Sequence, residues 1–197
     1  RDAQESRGLG DVYKRQFINN HYMKDFHELL RLRRSTRKFT EQEIASDDVK
    51  TIMEAALMAP SSKRSLSWEF VLVEDAEKLE RLSVCKDNGA KLIAGAKLAV
   101  VVLGDPMKSD VWIEDASIAA TLIQLQAEEL GLGSCWVQVR GRYGENGESA
   151  EDFVRELLNI PLPMQVLAII ALGHKAETKT PFDPEKAAWE KVHIGQW

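Results

Sequence analysis

The fold is decided by residues 113–138, whose sequence is IEDASIAATLIQLQAEELGLGSCWVQ. The part up to residue 130 predicts the longest helix, because apolar side chains recur at helical spacing around most of its girth. Ile118, Leu122 and Leu125 form one stripe, and smaller side chains widen it. Gly131 is expected to end the helix, since the left-handed backbone that follows many helices favours glycine. Such a helix lies inside a protein or in a subunit interface.

Strands and further helices surround this stretch on both sides. Strand patterns occur at 68–74, 98–103, 134–140 and 166–172. Unbroken apolar runs in the second and fourth of these indicate strands that are buried on both faces. Shorter helices are predicted at 26–34, 49–56, 77–85, 151–158 and in the tail, 183–197. Asp47 or Asp48 is expected to cap the helix at 49–56. Because helices must cover both faces of the sheet, the order predicts a mixed α+β or α/β sandwich.

The composition is that of an ordinary globular protein, and it excludes several function classes. Lys and Arg number 26 against 31 Asp and Glu, which gives a net charge of −5. An acidic chain is not expected to bind nucleic acid, which requires a basic face. Its apolar runs are too short to cross a bilayer. No signal peptide pattern opens the sequence, and Cys85 and Cys135 have no metal spacing. We therefore expect a cytoplasmic protein with reduced thiols and no membrane partner.

A single domain is expected over residues 17–197. Residues 1–16 lack apolar periodicity and are expected to be a non-native or disordered leader. The histidines form no ligand pair, so no metal site is expected. They are His21, His27, His174 and His193. A Ser-His-Asp mechanism is not expected either, because the sequence has no G-x-S-x-G elbow.

A basic hexapeptide at residues 33–38 is the first candidate binding element, and its sequence is RRSTRK. Arginine forks grip phosphate oxygens in pairs, and a serine hydroxyl adds a short hydrogen bond. The same cations could equally lie in solvent at a helix end, where they complement the helix dipole. The hexapeptide alone leaves both interpretations open.

Two further segments have the composition of ligand-binding loops. Residues 59–68, APSSKRSLSW, join a helix to a strand and expose hydroxyls and cations before a tryptophan. Residues 131–138, GLGSCWVQ, contain glycines that let the backbone pass close to something flat. Each segment is also compatible with an ordinary connection or a helix stop. Cys135 is a weak candidate nucleophile, since a strand thiol is usually packed.

The three segments together, in this order and spacing, resemble the FMN-dependent nitroreductase family from about Phe26 to Lys191. The matching elements are Arg-Arg-Ser-x-Arg-x-Phe, then Ala-Pro-Ser-Ser with a following Trp-x-Phe, then Gly-Leu-Gly-Ser-Cys-Trp after the long apolar helix. The resemblance implies an α+β, three-layer fold with a mostly antiparallel sheet flanked by helices. It also implies a homodimer with FMN at the subunit interface and a C-terminal tail packed on the partner.

The resemblance assigns cofactor-binding roles to particular residues. Arg33, Arg34 and Ser35 would hold the FMN phosphate and ribityl end, and Arg37 would lie near N1 and O2 of the ring. The partner subunit would contribute Pro60, Ser61, Ser62 and Arg64 beside the ring. Trp136, Val137 and Gln138 would pass beneath it with main-chain donors. Gly173 and Lys186 occupy the positions of the C-terminal phosphate contacts, and Lys179 is the alternative to Lys186. No catalytic side chain is assigned.

The implied activity is transfer of electrons from NAD(P)H through flavin N5 to a nitroaromatic, a quinone or another flat acceptor, by a ping-pong mechanism. One loop departs from the family pattern, because Arg64, Leu66 and Ser67 replace the usual Asn, Gln and Pro. Lys63 and Arg64 therefore suggest an anionic acceptor.

Other functions remain open at this point. A relative with different flavin chemistry could carry out dehalogenation, enone reduction or flavin destruction, with residues 139–149 as a short lid. A flavin-binding sensor without turnover is a second alternative. An interaction protein whose basic hexapeptide is only surface is a third.

Overall fold

The computed structural model describes residues 25–197. The expected leader at residues 1–16 and His21 lie outside these residues. The α-helices are α1 (Phe26–Leu32), α2 (Ser46–Leu57), α3 (Ala76–Leu82), α4 (Trp112–Glu129) and α5 (Ala150–Leu158). The strands are β1 (Trp68–Val73), β2 (Leu98–Gly104), β3 (Leu132–Gln138) and β4 (Gln165–His174). Short 3₁₀ turns occur at Ser62–Arg64, Lys91–Gly95, Pro184–Lys186 and Trp189–Lys191.

The strands form one antiparallel sheet in the order β1-β2-β4-β3. The central strands β2 and β4 are apolar on both faces because helices cover each face. On one side Val101 and Ile169 pack with Leu82 of α3 and Val154 of α5. On the other side lies a second cluster, made by Val100 and Ile170 of the sheet with Ile52 of α2 and Ala119 and Ile123 of α4. The predicted α+β three-layer fold is confirmed.

The predicted cap of α2 and the predicted bounds of β3 were wrong. Neither Asp47 nor Asp48 caps α2: the N-cap is Ala45, and both acids lie in the first turn, where they still complement the helix dipole. Strand β3 begins two residues earlier than the predicted 134–140, since Gly131 turns the chain (φ 79°) and Leu132 pairs at once with His174. It ends at Gln138, because the next two N–H groups both donate to the Leu167 carbonyl.

In the long helix α4 the predicted stripe is not the buried face, because Ile118 is 42% exposed and Leu122 and Leu125 are half-buried. The residues that were expected to widen the stripe form the buried face instead: Ala119, Ala120, Ile123 and Ala127. No helix in the described part of the chain has the length and apolar character that a membrane span needs. In the tail, two 3₁₀ turns replace the predicted short helix.

Candidate cofactor site

The basic hexapeptide lies along the outer edge of β3. Helix α1 ends at Leu32, and Arg33 turns the chain into an extended conformation. Ser35 pairs in parallel with Ser134, and the Thr36 N–H donates to the Ser134 carbonyl at 2.9 Å. Further along, Phe39 pairs with Lys175 just beyond β4. The main chain of the hexapeptide is therefore fixed to the sheet.

Successive side chains of an extended segment point to opposite sides, so the hexapeptide divides into two sets of side chains. Arg33, Ser35 and Arg37 form the set on one side. Arg34 lies on the other side, where its guanidinium donates to the Thr180 carbonyl at 2.5 Å. Thr36, also on that side, is 2% exposed.

The pKa of the buried Cys135 thiol shows which groups lie near it. Burial raises the pKa of Cys135, while the charges of Arg37, Lys86 and Arg33 and a hydrogen bond from Ser35 oppose the increase. These groups therefore lie close to Cys135 on β3. The raised pKa keeps this thiol protonated near neutral pH, which disfavours it as a nucleophile.

Two glycines let the segment lie this close to the sheet. A Cβ atom added to Gly133 would lie 2.7 Å from the Thr36 side chain, and one added to Gly173 would lie 2.9 Å from Phe39. Gly133 thus makes room for the neighbouring chain rather than for a flat ligand, and Gly131 supplies the left-handed turn before β3. Gly173 is buried beneath Phe39, which gives it a packing role besides its expected place near a phosphate.

The end of β3 carries a network that the sequence did not reveal in full. The Trp136 indole donates to the Gln138 side-chain oxygen at 3.0 Å, and the Lys86 ammonium donates to the Gln138 carbonyl at 2.7 Å. Val137 is 1% exposed, so its side chain is not available to contact a ligand. No sequence signal marked Lys86. Its pKa is lowered by burial.

The outer edge of β3 is open beyond Ser134. Within residues 25–197 no strand pairs with this edge after the bridge from Ser35. An edge strand presents main-chain N–H and C=O groups to whatever lies beside it. The Trp136 and Gln138 N–H groups share the outward direction of the Ser134 carbonyl by the two-residue alternation, whereas the Val137 N–H faces β4. The main-chain donors that the family resemblance assigns to this segment remain a prediction.

Of the two lysines considered for the phosphate end, Lys179 lies nearer the basic hexapeptide. A cleft of about 340 Å³ is lined by Arg34, Lys179 and Glu177, among others. Glu177 accepts the Arg37 N–H at 3.0 Å and pairs with Lys179 at 2.9 Å. The Arg37 N–H and Lys179 lower the pKa of Glu177. Lys186 is 81% exposed and pairs with Asp183 at 3.6 Å.

The loop between α2 and β1 forms a separate group. Pro60 and Arg64 are exposed, while Ser61 and Ser62 are half-buried. The Ser62 N–H donates to the buried carboxylate of Asp115 on α4 at 2.9 Å. Sequence analysis missed Asp115, although an acid on a largely apolar helix is a usable signal.

Apart from Lys186, which lies in the tail and contacts neither group, the predicted site residues fall into two groups in one protomer. No hydrogen bond or ion pair among the described residues links the 60–67 loop to the hexapeptide. Arg33, Ser35 and Arg37 of the hexapeptide, together with the end of β3 and Lys86, form one cationic edge. This edge suits a small anionic ligand that lies against an antiparallel sheet covered by helices.

The chain belongs to the nitroreductase family, whose sequence pattern matches residues 30–87 and 81–174. An FMN-dependent nitroreductase from Clostridium difficile R20291 has a similar structure, with a TM-score of 0.85 and 44% identity over 87% of this chain and 99% of that one. A putative NADH dehydrogenase/NAD(P)H nitroreductase from Archaeoglobus fulgidus is 31% identical over 89% of this chain and its own full length. An NADPH-flavin oxidoreductase from Vibrio harveyi is 28% identical, over 86% of this chain and 73% of its own.

Proposed function

We propose that the protein is an FMN-dependent oxidoreductase that takes electrons from NAD(P)H and passes them to a flat acceptor such as a nitroaromatic or a quinone. The enzyme class is supported by membership of the nitroreductase family and by 44% identity to an FMN-dependent nitroreductase. The observation that carries the proposal is the placing of Arg33, Ser35 and Arg37 on one side of an extended segment beside β3.

The donor set of the cationic edge fits FMN. Arg33, Arg37 and Lys86 provide positive charge and Ser35 a hydroxyl, whereas the chain as a whole is acidic. Charge-assisted hydrogen bonds of this kind bind phosphate strongly. When bound, FMN supplies the redox chemistry, and the protein supplies position and electrostatics.

We assign roles on that basis. Arg33 and Ser35 hold the phosphate and ribityl end, with Arg34 and Lys179 behind them in the adjoining cleft. Arg37 stabilises negative charge at N1 and O2 of the ring. The main chain of residues 136–138 supports the ring, and Lys86 fixes the Gln138 carbonyl at 2.7 Å. No side-chain acid or base is assigned to the chemistry.

We further propose that the protein works as a homodimer. Pro60, Ser61, Ser62 and Arg64 make no hydrogen bond or ion pair with the cationic edge of their own protomer, so a partner subunit would have to bring them to the ring. The placement of the protein in the cytoplasm remains a prediction from the sequence.

An absorption spectrum followed by reduction tests the function. The protein saturated with FMN should show flavin absorption, and NADH or NADPH should bleach it rapidly under anaerobic conditions. Initial rates with a quinone should give parallel double-reciprocal lines, because both substrates are flat and would occupy the same place in turn. Intersecting lines would contradict the ping-pong order. Bound flavin that neither nucleotide bleaches would identify a sensor rather than an enzyme.

A further inference from the structure

The loop that joins α2 to β1 has an unusual backbone conformation. Lys63, Arg64 and Leu66 have φ angles of 51°, 55° and 46°. These values lie in the left-handed region that residues other than glycine rarely adopt. Such residues persist only where the surrounding structure fixes them. The conformation of this loop therefore requires an anchor.

Asp115 provides the anchor from the first turn of α4. Its carboxylate is 3% exposed and accepts the N–H of Ser62 at 2.9 Å. It also accepts the hydroxyls of Ser65 at 3.3 Å and Ser67 at 3.2 Å. The Ser109 hydroxyl is a fourth donor, at 3.3 Å. A carboxylate can be buried here because hydrogen-bond donors surround it.

The anchored loop presents unpaired positive charge. Lys63 and Arg64 are exposed, and neither forms an ion pair within residues 25–197. Lys63 and the hydroxyl-bearing Ser62 and Ser65 line a cleft of about 280 Å³, which also contains Asp110. Because the backbone between these cations is already fixed, binding an anion here does not require the loop itself to be ordered first.

We infer that residues 62–66 form a preset anion-binding loop, which selects acceptors that carry a sulfonate or carboxylate group. This inference rests on the proposed function, in which the loop borders the ring held by the partner subunit. Lys63 and Arg64 contact the charged group. Asp115 is a positioning residue, since it acts through the loop and does not touch the acceptor.

Equilibrium binding of two matched ligands tests the inference without relying on turnover. Naphthalene-2-sulfonate and naphthalene-2-sulfonamide have similar shapes and differ in charge. Calorimetry on the FMN-saturated protein should show the sulfonate binding about tenfold more tightly at low salt, the effect of a modest charge interaction. The difference should shrink at about 1 M salt, where the Debye length is roughly 3 Å.

Variants separate the roles of the residues. Lys63→Asn with Arg64→Asn should abolish the preference, so that the sulfonate and the sulfonamide bind with equal affinity; asparagine is used because it tolerates a left-handed backbone. Asp115→Asn should reduce the preference several-fold, whereas a general loss of folding would weaken both ligands alike. Asp110→Asn should increase the preference. Lys78→Gln, an exposed cation on α3, should keep the full tenfold difference.

The outcomes for this inference and for the proposed function are distinct. Equal binding of the two ligands by FMN-loaded protein overturns the anion-binding loop, and so does a tenfold preference that persists in the Lys63→Asn/Arg64→Asn protein. A protein that takes up no FMN overturns the proposed function instead. If a folded Asp115→Asn variant keeps the full preference for the sulfonate, Asp115 does not position the loop.

Discussion

At the scale of single residues, neighbouring arginines have different surroundings. Arg33 and Arg37 lie near Cys135, whereas Arg34 reaches the Thr180 carbonyl on the other side of the same segment. The cause is the two-residue period of extended chain. The sequence places all of these cations in one hexapeptide, but it cannot show that this segment is extended along β3 and not part of the preceding helix.

Substitution of Arg37 should therefore differ from substitution of Arg34. Arg37→Gln is expected to weaken FMN binding by roughly 10- to 100-fold, because a hydrogen bond to a charged group contributes about 1.5–3 kcal/mol. It should also lower the two-electron reduction potential of bound flavin by about 30 mV for each 1.4 kcal/mol lost from the reduced state. Arg34→Gln is the matched control, with a smaller effect on both. Fluorescence titration and potentiometry measure them, and equal effects of the two variants would contradict the assignment.

Cys85 should make stability depend on pH in the alkaline range. Burial raises the pKa of its thiol to about 11 from 9.0, against the opposing charge of Lys86. Between these pH values the unfolded chain loses the proton while the folded chain keeps it, so stability falls as the pH rises. The total decrease is about 3 kcal/mol, of which about 2 kcal/mol falls between about pH 8 and 11.

Urea unfolding of wild type and Cys85→Ala from pH 8 to 11 measures this effect. The variant is less stable at pH 8 because it lacks a packed side chain, but its stability should fall by about 2 kcal/mol less over the range. Parallel pH profiles for the two proteins would show that the thiol does not titrate differently on folding.

At the scale of elements, the edge of β3 depends on glycine. Gly133 lies so close to Thr36 that an added Cβ would be 2.7 Å from its side chain. The site needs this approach because the main-chain bond from Thr36 to Ser134 fixes the hexapeptide. A methyl group would push the segment away from the strand.

Gly133→Ala is thus expected to destabilise the fold by about 1–3 kcal/mol, as overpacking does, and to weaken FMN binding more than tenfold. Gly95→Ala is the control, since an added Cβ there meets nothing within 4 Å. Thermal unfolding and FMN titration give the two measurements. If a destabilised Gly133→Ala protein still binds FMN tightly, the cofactor site does not depend on the close approach of Thr36 to Gly133.

Elements with strong periodicity could be predicted, and their ends could not. The apolar pattern of α4 correctly predicts a helix, and the unbroken apolar run of β2 correctly predicts a buried strand. Both predictions depend only on local side-chain spacing. The start of β3 depends on pairing between Leu132 and His174, 42 positions later in the chain. Lys86 and Asp115 were missed for the same reason, because their partners are distant in sequence.

At the scale of the whole molecule, the end of α2 and the C-terminal tail both carry exposed apolar side chains. Leu57 and Met58 at the end of α2 are 57% and 74% exposed. In the tail, Trp189, Ile194 and Trp197 are 72%, 94% and 99% exposed. Large apolar side chains that are exposed together are typical of interaction sites, and the family resemblance assigns the tail to the partner subunit.

Removing the apolar tail side chains should therefore weaken the dimer. In a protein with Trp189→Gln, Ile194→Gln and Trp197→Gln we expect the dimer dissociation constant to rise at least 100-fold, since buried aromatic anchors often contribute 2 kcal/mol or more each. FMN affinity should fall in parallel, because the partner supplies residues beside the ring. Leu162→Gln, at a side chain that is 75% exposed on the loop between α5 and β4, should change neither. Sedimentation velocity over a range of concentrations measures the dissociation constant. If the triple variant stays dimeric at nanomolar concentration, the subunit contact does not involve the tail, and the exposed end of α2 becomes the surface to test by Leu57→Gln and Met58→Gln.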